Sequence, residues 1–444
     1  MKKLITPLAM MLMAGALCAQ DAPMSTKGYM GPTKDSDAKA IENRVNAVND
    51  LGYLTFKSAD GNYMWFQDYR IVVDGDEYFQ DKNKVTHANG FDIDEVRIGQ
   101  SIVYNRDWIG TFEIEFDMGQ TFSIKDATIG SMHFDNTLLR IGQNKVAWGM
   151  DELLSDRFLN FIERAAVIDC WKPGRQMGAT INKWGDNWQY EAGFYTQQAK
   201  VVDGNGVPEA STYGGRFSFA PVLNDRNLIH FGVAGYWSQP KAANSTVRGT
   251  NDTYSFSEGD ETSVDAEDVV ATPKITYTSY DNCWDGEFAF RAGRLYGQAE
   301  YSQNKVHRKD NLGNPVFDGA YAWVGFFLTD YSRPYEASLG NWGRVVPTHK
   351  GGEWELALRY SMLNLNDPRV LLNPATPPTN ANLICGGKED ILTLGLNWYA
   401  NYNSKIMFNL QKVTTDAYAG LHNTYGLPGS DSYMVAQLSV CCFF

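Results

Sequence analysis

The segment Thr111–Met118, T-F-E-I-E-F-D-M, restricts this chain more than any other stretch. Phe112, Ile114, Phe116 and Met118 share one parity, and Thr111, Glu113, Glu115 and Asp117 share the other. Successive side chains of a strand point to opposite faces, so a strand here has one apolar face and one face carrying three carboxylates. The same grammar returns in E-W-E-L-A-L-R-Y-S-M, where Trp354, Leu356, Leu358, Tyr360 and Met362 oppose Glu355, Ala357, Arg359 and Ser361. From about residue 52 onward, sixteen or seventeen such segments follow one another. After the N-terminus no run of about 18 apolar residues occurs, so no helix is expected to cross a bilayer. A transmembrane barrel escapes that restriction, because only every second residue of its strands meets lipid.

Turn lengths and the final strand point the same way. Short connections (105–107, 185–187 and 402–404) alternate with long polar loops such as 239–268 and 364–389, as expected when the two ends of a barrel face different compartments. The last segment, Y-M-V-A-Q-L-S-V-C-C-F-F, places Met434, Ala436, Leu438, Val440, Cys442 and Phe444 on one face and ends on an aromatic residue. Closing a sheet through such a strand leaves no backbone edge unpaired in lipid. The expected fold is therefore all-β: a transmembrane antiparallel β-barrel of about 16 strands spanning 52–444. Phe112, Ile114 and Phe116 would face lipid, and Glu113, Glu115 and Asp117 a water-filled lumen. A soluble exported β-rich carbohydrate-binding protein is the alternative favoured by exposed Trp and Tyr, but not by the terminal strand.

Residues 1–19 read as a signal peptide, with Lys2 and Lys3 before the apolar run Leu4–Leu17 and Ala19 before a cleavage point at Gln20. Cys18 raises a lipoprotein alternative, which the missing Leu three residues upstream disfavours. Residues 20–51 form a polar leader in which Ser36 and Asp37 cap a short helix carrying Ile41, Val45 and Val48. That helix is read as packing on the main domain rather than as part of a coiled-coil arm. Removing Lys2 and Lys3 leaves 37 basic against 52 acidic residues, a net of −15, which argues against nucleic acid as a partner. The five remaining cysteines are odd in number and scattered, so no disulfide framework is expected.

One segment breaks the strand grammar. In Gly149–Ala166, Leu154, Phe158, Phe161, Ile162 and Ala165 recur at helical spacing, between strands expected at 137–145 and 176–184. The other positions offer Asp151, Glu152, Asp156, Arg157, Glu163 and Arg164, mixed charges that suit either a pore constriction or an ordinary surface helix. Residues 258–268, E-G-D-E-T-S-V-D-A-E-D, hold six acids in eleven positions. They are read as a solvated external loop rather than a divalent-cation site, since the D-x-D-x-D-G spacing of a calcium loop is absent. The six histidines lack metal-ligand spacing, and neither a G-x-S-x-G elbow nor a phosphate-cradling glycine loop occurs. No enzyme activity, metal or cofactor is expected.

The run L-R-I-G-Q-N-K-V-A-W-G-M-D-E-L-L-S-D-R-F-L-N-F-I-E-R followed by G-R-Q-M-G-A-T-I resembles the phosphate-selective porin O and P family. So do L-T-D-Y-S-R-P-Y, W-E-L-A-L-R-Y-S and L-T-L-G-L-N-W-Y-A-N, in family order from about residue 60 to the end. The resemblance implies a sixteen-stranded outer-membrane porin, typically a homotrimer surrounded by lipid and lipopolysaccharide. It would pass small hydrophilic solutes or anions, with the segment after the R-I-G-Q strand folded inward at the constriction. On that basis Arg97, Arg140, Lys145, Arg157 and Arg164 are expected as basic lumen contacts. Glu113, Glu115, Asp117, Asp151, Glu152 and Glu163 are expected as acidic ones. A non-conducting structural barrel is the rival reading. The chain departs from the family at Asp94-Glu95, where paired arginines are frequent, and at Ala147, where proline is common. Of the arginine ladder expected near 240–268 only Arg248 remains. Selectivity depends on rings of like charge, so an acidic wall from Glu113, Glu115 and Asp117 predicts weak anion preference or a mild cation bias, without a tight phosphate site.

Overall fold

The computed structural model describes residues 55–58, 62–80, 87–105, 107–117, 121–196, 210–240, 252–265, 267–309, 312–367, 384–419 and 430–443. The signal segment, the leader with its short helix, Arg248 and Phe444 lie outside the described residues, as does the side chain of Asp117. Sixteen long strands make the wall. They are β1 (Tyr63–Phe79), β2 (Gly90–Tyr104), β3 (Trp108–Asp117), β4 (Thr121–Ser131), β5 (Thr137–Lys145) and β6 (Arg175–Trp184). β7 (Trp188–Tyr195), β8 (Thr212–Leu223), β9 (Asn227–Ser238), β10 (Thr278–Ala292) and β11 (Leu295–Arg308) continue it. β12 (Val316–Phe327), β13 (Glu353–Asn366), β14 (Cys385–Asn401), β15 (Ser404–Thr415) and β16 (Ser432–Phe443) complete it. Each strand pairs antiparallel with the next, and β16 pairs with β1 from Arg70↔Phe443 to Phe79↔Met434, closing the barrel. A three-residue strand, Thr55–Lys57, adds to the start of β1.

Alternation sorts the side chains as a membrane barrel requires. On β3, Phe112 and Phe116 are exposed on the outer face while Glu113 is buried within. On β13, Leu356, Leu358 and Tyr360 are exposed, and Glu355, Ala357, Arg359 and Ser361 are buried. Ile141 at 70%, Phe122 at 67% and Ile129 at 65% exposure would be anomalous in a soluble protein and are ordinary against lipid.

The interior is asymmetric. Facing β9 to β14 it holds a continuous apolar core, in which Trp148, Met150, Phe161, Val167, Ile168 and Trp171 pack with Tyr236, Tyr296, Phe317, Trp323, Phe327 and Trp342. The first group belongs to the loop between β5 and β6, the second to the wall and to residues 328–352. This last connection lies at the end that otherwise carries short turns, yet it folds inward as a small ribbon, Tyr335–Glu336 against Asn341–Trp342. Gly340 lets the ribbon touch the wall: its φ is 58°, and a Cβ would sit 2.1 Å from Ser218 Oγ. Open space is left along β1 to β7.

Two β-bulges shape that open side. Val72 pairs with Glu95 and Asp74 with Asp92, so β2 carries one extra residue opposite Val73. Likewise Phe112 pairs with Ala127 and Ile114 with Ile124, setting Lys125 and Asp126 together opposite Glu113. A bulge re-aims side chains, and here each turns two consecutive charged residues into the lumen.

Because β16 pairs with both β15 and β1, deleting residues 440–444 should prevent closure. The truncated chain is expected to lose heat-modifiable migration on gels and to be degraded. A folded, heat-modifiable product would show that closure does not depend on this pairing.

Candidate functional site

The loop 146–174 enters the barrel between β5 and β6 and divides the lumen. It is not the single helix that its apolar spacing suggests. α1 (Met150–Leu153) and α2 (Ala166–Trp171) flank a 3₁₀ turn at Asp156–Phe158, with extended backbone between them. Of the apolar residues spaced as for a helix, Leu154, Phe158, Phe161 and Ala165 are nevertheless buried in one core. The carbonyls freed from helical bonding meet side chains instead. Lys405 Nζ donates to Arg157 O and Leu159 O, both at 3.1 Å, and Arg333 donates to Phe158 O. Arg359 Nη1 donates to Glu163 O at 2.8 Å, and Asn397 Nδ2 to Asn160 O at 2.8 Å. At the start of the loop, Glu300 accepts the Met150 and Asp151 amides at 2.7 and 2.9 Å.

Between this loop and strands β1 to β7 lies an open space of about 1510 Å³, counting the part continuous with solvent. Six basic side chains, Arg70, Arg97, Arg140, Lys145, Arg157 and Arg175, and five acidic ones, Asp68, Glu113, Asp126, Asp156 and Glu191, line it. They form a chain of ion pairs across neighbouring strands. Arg70 meets Asp68 at 2.9 Å, Glu113 at 3.1 Å and Glu95 at 3.2 Å. Arg97 meets Glu95 at 2.7 Å, Glu113 at 2.9 Å, Asp156 at 3.4 Å and also Glu115, which Lys125 pairs in turn. Arg157 reaches Asp68 at 3.0 Å, Arg175 reaches Asp126 at 2.9 Å, and Arg140 reaches Glu191 at 2.5 Å.

The structure therefore brings Arg97, Glu113, Glu115, Arg140 and Arg157 to one constriction, with Lys145 at its edge donating to Glu152 O and Leu154 O. Glu113 and Glu115 do not form a bare acidic wall, because Arg70, Arg175 and Lys125 balance them. No motif marks these three cations; only strand pairing and the second bulge place them. Arg164 is turned into the loop rather than toward the open space, donating to Asp151 O at 3.0 Å and Leu154 O at 2.7 Å and pairing with Asp156 at 2.5 Å. Asp151 and Glu152 are buried in the loop, and Glu163 lies on its far side.

The acidic segment 258–268 is also not a solvated external loop. Asp260, Glu261 and Asp265 are buried. Glu261 accepts the Ala166 amide at 2.9 Å and pairs with Arg359, and Asp260 accepts from Tyr433 Oη at 2.7 Å and Tyr78 Oη at 3.1 Å. Polar wall groups and the constriction loop offered donors that an outward loop would lack. Burial raises the carboxyls of Asp260 and Glu261 above their usual range, against these donors.

A closed sixteen-stranded antiparallel barrel, apolar outside and narrowed by an inward-folded loop after its fifth strand, defines an outer-membrane porin. The profile of phosphate-selective porins O and P matches residues 68–438, and the chain belongs to that family. It is 27% identical over 337 residues to Porin O of Pseudomonas aeruginosa, covering 70% of this chain and 74% of that protein. An uncharacterised protein of Caulobacter vibrioides is 26% identical over 273 residues, covering 59% of this chain and 50% of that one. Among solved structures, the trimer form of OmpT, an outer membrane protein of Vibrio cholerae, superposes with a TM-score of 0.52 at 8% identity. That match covers 86% of this chain and 99% of OmpT. An anion-selective porin from Comamonas acidovorans superposes at 0.51 and 13% identity, covering 86% and 100%.

Asp156 joins loop to wall. Burial alone would raise its carboxyl, but Arg164, Lys145, Arg97 and Arg175 outweigh burial and hold it well below the usual range. A depressed folded pKa stabilises fully above the unfolded value of about 3.9, and the contribution is lost only as pH falls through the lower folded value. Amide-exchange protection of residues 154–158, around Asp156, should therefore be unchanged from pH 7 to pH 5. Asp156→Asn should lower it at both, and wild-type protection falling to the variant's level at pH 5 would contradict this assignment.

Proposed function

We propose that the protein is a passive diffusion channel for small hydrophilic solutes and ions, with little charge selectivity at its constriction. The near balance of basic and acidic side chains around the open space carries this reading. A lumen screens fixed charges less than open surface does, so a constriction selects strongly when one sign dominates. Here every named arginine is within ion-pair distance of a carboxylate, and a permeating anion must compete with that partner. The names of the family and of the Comamonas porin speak for phosphate and anions. At the positions where paired arginines would support such selectivity, this chain has Asp94 and Glu95. A homotrimer embedded in outer-membrane lipid and lipopolysaccharide is the assembly we infer, by analogy with the trimeric neighbour. The apolar core packed inside the barrel favours the rival reading of a structural barrel with a plugged pore.

One experiment separates these readings. Purified protein in a planar bilayer should give unitary currents, with a reversal potential near zero in a KCl gradient and no current block by micromolar phosphate. A strong anion potential with micromolar block would overturn the low-selectivity reading. A failure to conduct at all would favour the structural barrel.

A further inference from the structure

We propose that Asp74, Asp94 and Glu163 form a binding site for a hard divalent cation, Ca²⁺ by preference, which ties the constriction loop to strands β1 and β2. One carboxylate oxygen from each residue lies within 4.8 Å of those of the other two. Calcium takes oxygen ligands at about 2.3–2.6 Å, which puts oxygens on opposite sides of the ion about 4.8 Å apart and adjacent ones closer. The three oxygens thus already lie within the span of one Ca²⁺ coordination sphere. The smaller Mg²⁺, at about 2.0–2.1 Å, would require them to draw in.

Asp74 is the observation that separates this group from an ordinary acidic patch. Its side chain is 2% exposed, and its Oδ1 has no hydrogen-bond partner. A buried carboxylate oxygen without a donor is costly and calls for a counter-charge. The chain supplies only the Ser439 and Ser263 hydroxyls and the field of Lys405 to the Asp74 carboxylate, and among the described residues none of the three acids makes an ion pair. Nearby cations are committed elsewhere: Lys405 to the carbonyls of Arg157 and Leu159, Lys172 to Asp169, and Arg70 and Arg97 to Asp68, Glu95 and Glu113. Burial and the carboxylates of Asp94, Asp169 and Asp74 push the Glu163 carboxyl well above its usual range. The first bulge completes the group. By adding a residue to β2 opposite Val73, it brings Asp94 inward beside Glu95, so one of the two reversed charges pairs with arginine and the other is left for a metal.

The test needs no conduction, so its failure would leave the channel reading untouched. Protein purified in detergent and stripped with EDTA is titrated at pH 7.5 with CaCl₂ and MgCl₂ by calorimetry, and its thermal unfolding is followed in parallel. Saturable binding of one Ca²⁺ per chain with a raised unfolding temperature is expected, and weaker binding of Mg²⁺. Asp94→Asn and Glu163→Gln should each weaken Ca²⁺ binding by about tenfold or more, as ligand charge sets affinity at such sites. Asp186→Asn, in an exposed turn, should bind as wild type. Asp94→Arg should supply the missing positive charge from within, remaining as stable in EDTA as wild type is in Ca²⁺ and no longer responding to the ion. Absence of saturable binding, an equal stabilisation by NaCl at matched ionic strength, or undiminished binding in Asp94→Asn would overturn the proposal. The acids would then hold a proton in place of a metal.

Discussion

The constriction depends on hydrogen bonds from wall side chains to the main chain of the loop that crosses the barrel. A loop that leaves helical geometry inside a protein must find donors for its carbonyls, because unpaired buried backbone groups are rare and cost about 1–3 kcal/mol each. Lys405, Arg333, Arg359 and Asn397 reach from the wall and from residues 328–352 to Arg157, Leu159, Phe158, Glu163 and Asn160. Lys145 and Arg164 do the same from the ends of the segment. Charged donors make the stronger bonds, and their use here has a second consequence. Five cations that a count of lumen arginines and lysines would assign to permeating ions are occupied by the backbone. The basic groups left facing the open space are those paired with carboxylates.

The barrel itself was legible in the sequence because lipid imposes a binary rule on every second residue. Glu113 inside and Phe112 outside follow from parity alone, and so does the role of the segment ending at Phe443. The lumen obeys no such rule. Parity assigns Asp94 to the face opposite Glu95, and Lys125 to the face opposite Asp126. Each pair nevertheless shares the lumen, because a bulge has slipped the alternation by one residue. A bulge depends on the partner strand, which a single sequence does not display. The inward fold of 328–352 has no strand or helix pattern to announce it, and its place in the interior shows only in the burial of Arg333 between Asn160 and Tyr296 and of Tyr331, Trp342 and Val345 in the core.

The loop 146–174 is the instructive intermediate. Its apolar positions were recognisable, and they are buried, but helical spacing was the wrong inference from them. Leu154, Phe158 and Phe161 join one core while the backbone between them is extended or 3₁₀, and tertiary packing overrides local periodicity where the surrounding wall offers both apolar contact and donors for the backbone. The same logic explains the acidic segment 258–268. A cluster of acids in a sequence suggests solvent, yet Glu261 and Asp260 are drawn inward by Arg359, Tyr433 and the Ala166 amide.

Where the excess negative charge sits follows from these placements. The space along β1 to β7 is close to balanced, so the chain's excess of acidic residues lies outside it. On the other side of the constriction loop, a space of about 570 Å³ is bordered by Glu163, Asp169, Glu258, Glu261, Asp265 and Asp268, with Arg164 as its basic residue. Burial holds the Glu163, Glu258 and Glu261 carboxyls above their usual range, so this space carries less negative charge than its residues alone would give. A confined vestibule of one sign raises the local concentration of counter-ions, and salt weakens the effect as the Debye length shrinks from about 30 Å at 0.01 M to about 3 Å at 1 M. On the channel reading proposed above, a cation bias would arise at this acid-lined space, depend on salt, and act on the rate of arrival. On the same reading the constriction, with its arginines held by carboxylates and Lys145 and Lys405 by carbonyls, would discriminate chiefly by size.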